Sequence, residues 1–366
     1  MTGARRTAAP RRVAERPARR RLTAGLLASG LSAAALTGCA VPDRTPAPTS
    51  FAVVAAYADA GSDSSLPSLI AAAKAGAINE VSPVMYRLRA DAGVDRIDPA
   101  EDLVAEAHGR GARVVATTRN LVGETWDGAL VHTVISDPRL RSRHVTALVD
   151  EAKADEVDGI DLDYENLLAG DRAAMTAFVT ELATALHGSG KVLTIAVPAM
   201  TAASVRDDPA LAAFDITALG KVVDEIRVMA YDHAWAGSPA GAVAPLPWVR
   251  EVVGYVTGQV PREKVVLGLA AYGYDWSDGR GEALPTDELR ALVGQTRATV
   301  TRDGPSASPW FRYTKDGREH TVWYEDAASA QDKIRLAAQA RLAGVFVWRL
   351  GGEDPALWPM LTAPAH

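Results

Sequence analysis

The chain reads as an α/β protein, a (β/α)8 TIM barrel with a small α+β insertion between strands seven and eight, on three observations. From Phe51 onwards, eight short apolar runs alternate with amphipathic helical stretches, the pattern of parallel strands joined by crossover helices. The fourth run ends in the acid-rich stretch DGIDLDYEN, Asp158 to Asn166, where barrel proteins carry their chemistry. A length of 366 residues accommodates a barrel of about 250 residues with appendages at one end and within.

Taken in order, residues 1–39 read as a lipoprotein signal peptide. Arginines (Arg5, Arg6, Arg11, Arg12, Arg16, Arg19, Arg20 and Arg21) precede an apolar run, Leu22 to Leu36, too short for a comfortable membrane span. The run ends in Leu36-Thr37-Gly38-Cys39, which resembles the bacterial lipoprotein signal, with Cys39 as the lipidated first residue of the mature chain. A small buried core residue is the alternative for this lone cysteine, but a Pro-rich stretch follows it and favours lipidation. Arg19 to Arg21 leave general and twin-arginine export both open. The expected location is the outer face of the cytoplasmic membrane, with residues 40–50 (AVPDRTPAPTS) as an extended tether and 51–362 as the barrel.

Expected strands are Phe51 to Tyr57, Val81 to Tyr86, Arg113 to Thr118, Val157 to Leu162, Val192 to Val197, Glu225 to Tyr231, Val265 to Ala270 and Gly344 to Trp348. The clearest helix is Asp171 to His187, where Met175, Phe178, Val179, Leu182 and Leu186 share one face and Gly188 supplies a stop. The longest gap between strands predicts the insertion at about 273–325, and FRYTKDGREHTVWYED within it reads as a hairpin turning at Lys315-Asp316-Gly317. Insertions after barrel strands sit on the functional face and can wall a groove.

Composition narrows the chemistry. A net charge of -6 with 23% charged residues gives no sign of nucleic-acid binding. One cysteine rules out an intramolecular disulfide framework, and seven histidines without ligand spacing make a protein metal site unexpected. No cofactor is expected, and a monomer is.

Within the acid stretch, Asp161, Asp163 and Glu165 alternate with Ile160, Leu162 and Tyr164, so three carboxylates project to one face and three large side chains to the other. A solvated strand is the bland reading, but like charges side by side repel, and Asp disfavours strands. Crowded carboxyls keep a proton, which raises one acid's pKa and suits it as a proton donor near neutral pH.

The stretch from Asp158 to Glu165 matches DxxDxDxE, the signature of glycoside hydrolase family 18, the chitinase-like proteins. The chain further resembles the spore-germination or cortex-lytic N-acetylglucosaminidase branch of that family. The matching stretches are SPVMYRL (Ser82 to Leu88), HAWAGSPAGAVAPLPWV (His233 to Val249), LGLAAYGYDW (Leu267 to Trp276), WYEDAASAQDK (Trp323 to Lys333) and GVFVWRLGGEDP (Gly344 to Pro355). The resemblance implies substrate-assisted retaining hydrolysis. In it Glu165 protonates the leaving oxygen and later activates water, Asp163 orients the substrate's N-acetyl group, and Asp161 shares a proton with Asp163. It further implies that the Tyr231 hydroxyl bonds the acetamide carbonyl, with Asp232 and Met229 at the sugar and Trp348 as an apolar floor, a position that core packing would also satisfy. Tyr57, Tyr86, Asn120 and Tyr272 end their strands and are groove candidates. Trp235, Trp276 and Trp310 could stack on sugars or cap the barrel. Asp158 precedes the alternating set and reads as strand support.

The implied partner is a glycan containing N-acetylglucosamine, in peptidoglycan first, with chitin or N-glycans as the alternative substrates and a non-catalytic glycan-binding lipoprotein as the alternative class.

Overall fold

The computed structural model describes residues 49–59, 61–97 and 100–362. The leader with Cys39 and the tether through residue 48 lie outside the described residues.

Eight parallel strands form the barrel: Val53–Asp59, Glu80–Leu88, Arg113–Arg119, Gly159–Asp163, Val192–Pro198, Glu225–Met229, Val265–Ala270 and Gly344–Trp348. Pairing runs sequentially round the ring, and the first strand bonds both the second and the eighth, which closes it. Strand ends shift slightly from expectation. The sixth strand stops at Met229 because the Ala230 N–H bonds back to the Val228 carbonyl at 2.8 Å, turning Tyr231 and Asp232 out of the sheet. Thr49 and Ser50, expected in the tether, instead pair in parallel with Leu361 and Thr362.

The alternation in the fourth strand sorts its side chains by chemistry. Ile160, Leu162 and Tyr164 face outward into the layer beneath the helices, where the Tyr164 ring stacks 6.2 Å from Phe178 of helix Arg172–His187. Burial of such side chains contributes roughly 1.5–3 kcal/mol each. Asp161 and Asp163 face inward and are buried.

The lower barrel interior is ionic. Arg227 is fully buried; it donates to Ser82 Oγ at 2.5 Å, to Glu80, and to Glu225 Oε2 at 3.1 Å, and its Nη1 lies 3.6 Å from Asp161 Oδ1. Arg113 bridges the same two glutamates, Nε to Glu80 at 2.6 Å and Nη2 to Glu225 at 2.7 Å. Buried charges persist only when paired, and breaking such a set strands its remaining members. Arg227→Met should therefore cost about 3–5 kcal/mol of stability. Urea unfolding followed by circular dichroism reads this directly, and a loss near zero would refute it.

The insertion is a five-stranded antiparallel sheet, Tyr272–Ser277, Arg280–Pro285, Thr301–Arg302, Pro309–Lys315 and Arg318–Tyr324, backed by helix Thr286–Thr296. Leu289, Phe311, Val322 and Tyr324 make its core. Lys315 pairs with Arg318, so the hairpin turn is Asp316-Gly317 alone, with φ of 52° and 75°, the two-residue type I′ pattern. The sheet is fastened to the barrel beneath it by a buried ion pair. Lys333, on helix Ala327–Ala340, donates to Glu325 Oε2 at 2.6 Å, while the Ser308 hydroxyl bonds Glu325 Oε1 and the Thr286 hydroxyl its carbonyl, both at 2.8 Å.

Candidate active site

Asp163 and Glu165 open into a cleft of about 340 Å³ at the carboxyl ends of the strands. The structure brings Met229, Tyr231, Asp232, Tyr272 and Trp348 to the same cleft. A second hollow of about 510 Å³ adjoins it, sharing Asp232, Tyr272 and Trp348 and walled by the insertion. The two together offer room for more than one sugar ring.

Glu165 lies just past the fourth strand and is held by its backbone. Asn120 accepts from the Glu165 N–H and donates to the Glu165 carbonyl, both at 2.9 Å. Both polar ends of the Asn120 side chain are thus spent on placing Glu165, which makes it a support behind the cleft and not a groove residue. Burial, then the charges of Asp163 and Asp232, push the Glu165 carboxyl up to about 8 against the pull of Arg119. Glu165 is therefore protonated at neutral pH.

Asp163 is raised less. Burial pushes it to about 6, Arg119 pulling it down and Asp161 up. Its Oδ2 accepts from Arg119 Nε at 3.0 Å, and its buried Oδ1 has no hydrogen-bond partner. The cleft thus holds an acid beside a base. Asp161, one layer down, is saturated: Oδ2 accepts from the hydroxyls of Tyr57 at 2.7 Å and Thr117 at 3.2 Å, and Oδ1 from Thr194 at 2.6 Å. In this arrangement the donors to Asp161 come from other strands and Asp163 turns to Arg119, while the Asp161 charge still raises the Asp163 carboxyl.

Tyr57 is likewise buried below the cleft, its hydroxyl committed to Asp161 and its ring set edge-on to Trp348 at 5.3 Å. Tyr231 stands against Phe346 at 6.2 Å and Tyr272 at 6.0 Å, and burial raises its hydroxyl well above the usual range. This packing requires Gly268, where a Cβ would come within 2.8 Å of the Tyr231 ring and 2.7 Å of Phe346. Asp232 accepts from the hydroxyls of Tyr272 at 2.6 Å and Tyr274 at 2.8 Å.

Tyr86 is a correction. The second strand carries one extra residue between Val84 and Tyr86 relative to its neighbour, which flips the alternation. Its hydroxyl consequently donates to Asp155 at 2.6 Å, away from the cleft. Asp158 lies at the opposite end of the fourth strand, its carboxylate accepting from the Val114 N–H at 2.7 Å and contacting His108 at 2.9 Å. Trp276 is buried with its N–H on the Ser238 carbonyl at 3.0 Å, Trp310 stacks on Trp323 at 5.6 Å, and Trp235 is exposed. Sequence reasoning missed Arg119, Trp126 and Tyr274. Arg119 was open to discovery, since it shares its strand face with inward Thr117.

Proton-donor chemistry beside an aromatic floor, at the carboxyl ends of parallel barrel strands, defines the class of carbohydrate-cleaving barrels. The chain belongs to glycosyl hydrolases family 18, whose pattern matches residues 121–353. Over 251 residues it is 33% identical to the glycosylase YdhD of Bacillus subtilis, covering 67% of this chain and 59% of that relative. It is 28% identical to the cortical fragment-lytic enzyme of the same organism, over 72% of this chain and 63% of the relative. The chain thus spans less than two thirds of either relative. Among solved structures, a chitinase from Chromobacterium violaceum superimposes with a TM-score of 0.79 at 31% identity, covering 84% of this chain and 98% of the other.

Proposed function

We propose that the protein hydrolyses β-1,4 bonds on the reducing side of N-acetylglucosamine in peptidoglycan, by substrate-assisted retaining catalysis. The observation that carries the reading is Glu165 set beside the Arg119-bound Asp163 in one cleft, with burial raising the Glu165 carboxyl. In the reaction, Glu165 gives its proton to the leaving glycosidic oxygen while the acetamide carbonyl oxygen of the same sugar bonds to the anomeric carbon. Asp163 stabilises the positive charge of the resulting oxazolinium ring, and the Tyr231 hydroxyl orients the acetamide. Water then gives a proton to Glu165 and attacks the anomeric carbon, opening the ring with retained configuration. The second inversion restores what the first inverted, so no carboxylate nucleophile is required.

The choice of peptidoglycan is supported by the similarity to the cortical fragment-lytic enzyme, and export by the leader that ends at Cys39, whose lipid would hold the protein, as a monomer, on the outer face of the cytoplasmic membrane. Chitin is the second reading, favoured by the 31% identity to the Chromobacterium chitinase. Mass spectrometry of peptidoglycan and of N-acetylglucosamine oligomers after incubation separates them. Muropeptides with new reducing-end N-acetylglucosamine support the first reading, cleavage of the oligomers alone supports the second, and glycan binding without any cleavage supports a non-catalytic protein.

A further inference from the structure

Among the residues lining the cleft, Arg119 is the one cation. Its guanidinium lies 4.7 Å from the ring centre of Trp348 and 5.5 Å from that of Trp126, so it is packed between two indoles and its side chain is only 15% exposed. Cation–π contact and a charged hydrogen bond together fix it in place.

The groups facing Asp163 can be taken strand by strand. Tyr57 faces it from the first strand, Arg119 from the third, Asp161 from its own, Glu165 from the turn beyond, and Tyr231 with Asp232 from the sixth. The fifth strand ends in Pro198 and Ala199 and the eighth in Trp348, none of them charged. Of the described groups only Arg119 hydrogen-bonds Asp163, and it is the positive one.

A buried carboxyl between two other acids takes up the proton that such a cluster retains unless a cation rests on it. If Asp163 took that proton, Glu165 would lose the neighbouring charge that keeps it protonated, and the cleft would lose both its acid and its charge-stabilising base. We propose that Arg119 is a positioning residue for hydrolysis, which pairs with Asp163 to keep that carboxylate ionised and turned to the third strand, and so leaves the retained proton on Glu165. Arg119 pulls both carboxyls down against burial, and of the two it hydrogen-bonds Asp163. The proposal rests on the hydrolytic reading above.

The test compares the full chain with Arg119→Met and Arg119→Lys. Carbon-13 spectra of protein labelled at its aspartate carboxyls follow the titration, with Asp163→Asn supplying the assignment. In Arg119→Met the Asp163 midpoint should rise by about 1–3 pH units, the usual effect of losing an adjacent arginine, and Arg119→Lys should return most of it. The acidic limb of kcat/KM on N-acetylglucosamine oligomers should rise with it, because Asp163 must be ionised to act. A folded Arg119→Met protein with an unmoved Asp163 titration overturns the proposal, as does a shifted titration with an unmoved acidic limb. If Arg119→Met does not fold, Arg119→Gln takes its place under the same criteria. Failure of the parent to cleave any glycan overturns the hydrolytic reading instead, and the carboxyl titration still decides whether Arg119 controls Asp163.

Discussion

Replacing Glu165 with Gln should lower kcat by about 10²–10⁴-fold, the usual contribution of a positioned general acid and base. Gln keeps the size of the side chain, and the Asn120 clamp grips the backbone of residue 165, which the substitution leaves unchanged. The variant should therefore fold normally and bind glycan with KM close to the parent's. The pairing of those results is diagnostic: a collapse of turnover with binding retained assigns the proton to Glu165, whereas turnover within tenfold of the parent, about 1.4 kcal/mol of barrel chemistry, would falsify the assignment. Initial rates of reducing-end release, beside circular dichroism of both proteins, settle it.

The second large effect lies in the substrate. Oligomers stripped of their N-acetyl groups should be turned over at least about 10³-fold more slowly, because in the proposed mechanism the attacking oxygen belongs to the acetamide and intramolecular attack supplies a large effective concentration. Asp161 is not placed to take over that attack, since it is saturated by Tyr57, Thr117 and Thr194 below the cleft. Chemical re-N-acetylation should restore the rate. Comparable rates on the two forms would point to a carboxylate nucleophile and sink the substrate-assisted mechanism.

The barrel was legible because its signals are local. Apolar runs spaced by helical stretches identify βα units without knowledge of distant contacts, and strict alternation in the fourth strand places Asp161 and Asp163 on one face. The parts that stayed hidden depend on register between strands. Tyr86 ends its expected strand and so reads as a groove candidate, but one inserted residue, visible only against the neighbouring strand, reverses its direction. Asn120 ends its strand as a groove residue would, yet both ends of its amide are consumed by a backbone forty-five residues away. Arg119 carries a charge at a strand end, where solvation is the ordinary expectation. Its meaning comes from Asp163, Trp126 and Trp348, which lie on three other segments of the chain. Arg227 is hidden for the same reason, since a charge in the middle of a strand makes sense only once Glu80, Ser82, Glu225 and Asp161 converge on it.

The buried Lys333–Glu325 pair has a bearing on how a polymer meets this protein. A wall fastened to the barrel by a desolvated ion pair, with two hydroxyls bonded to the same glutamate, does not swing as a lid. On the function proposed above, a glycan strand would be laid sideways into a groove that already exists, and the freedom lost on association would be chiefly that of the sugar chain.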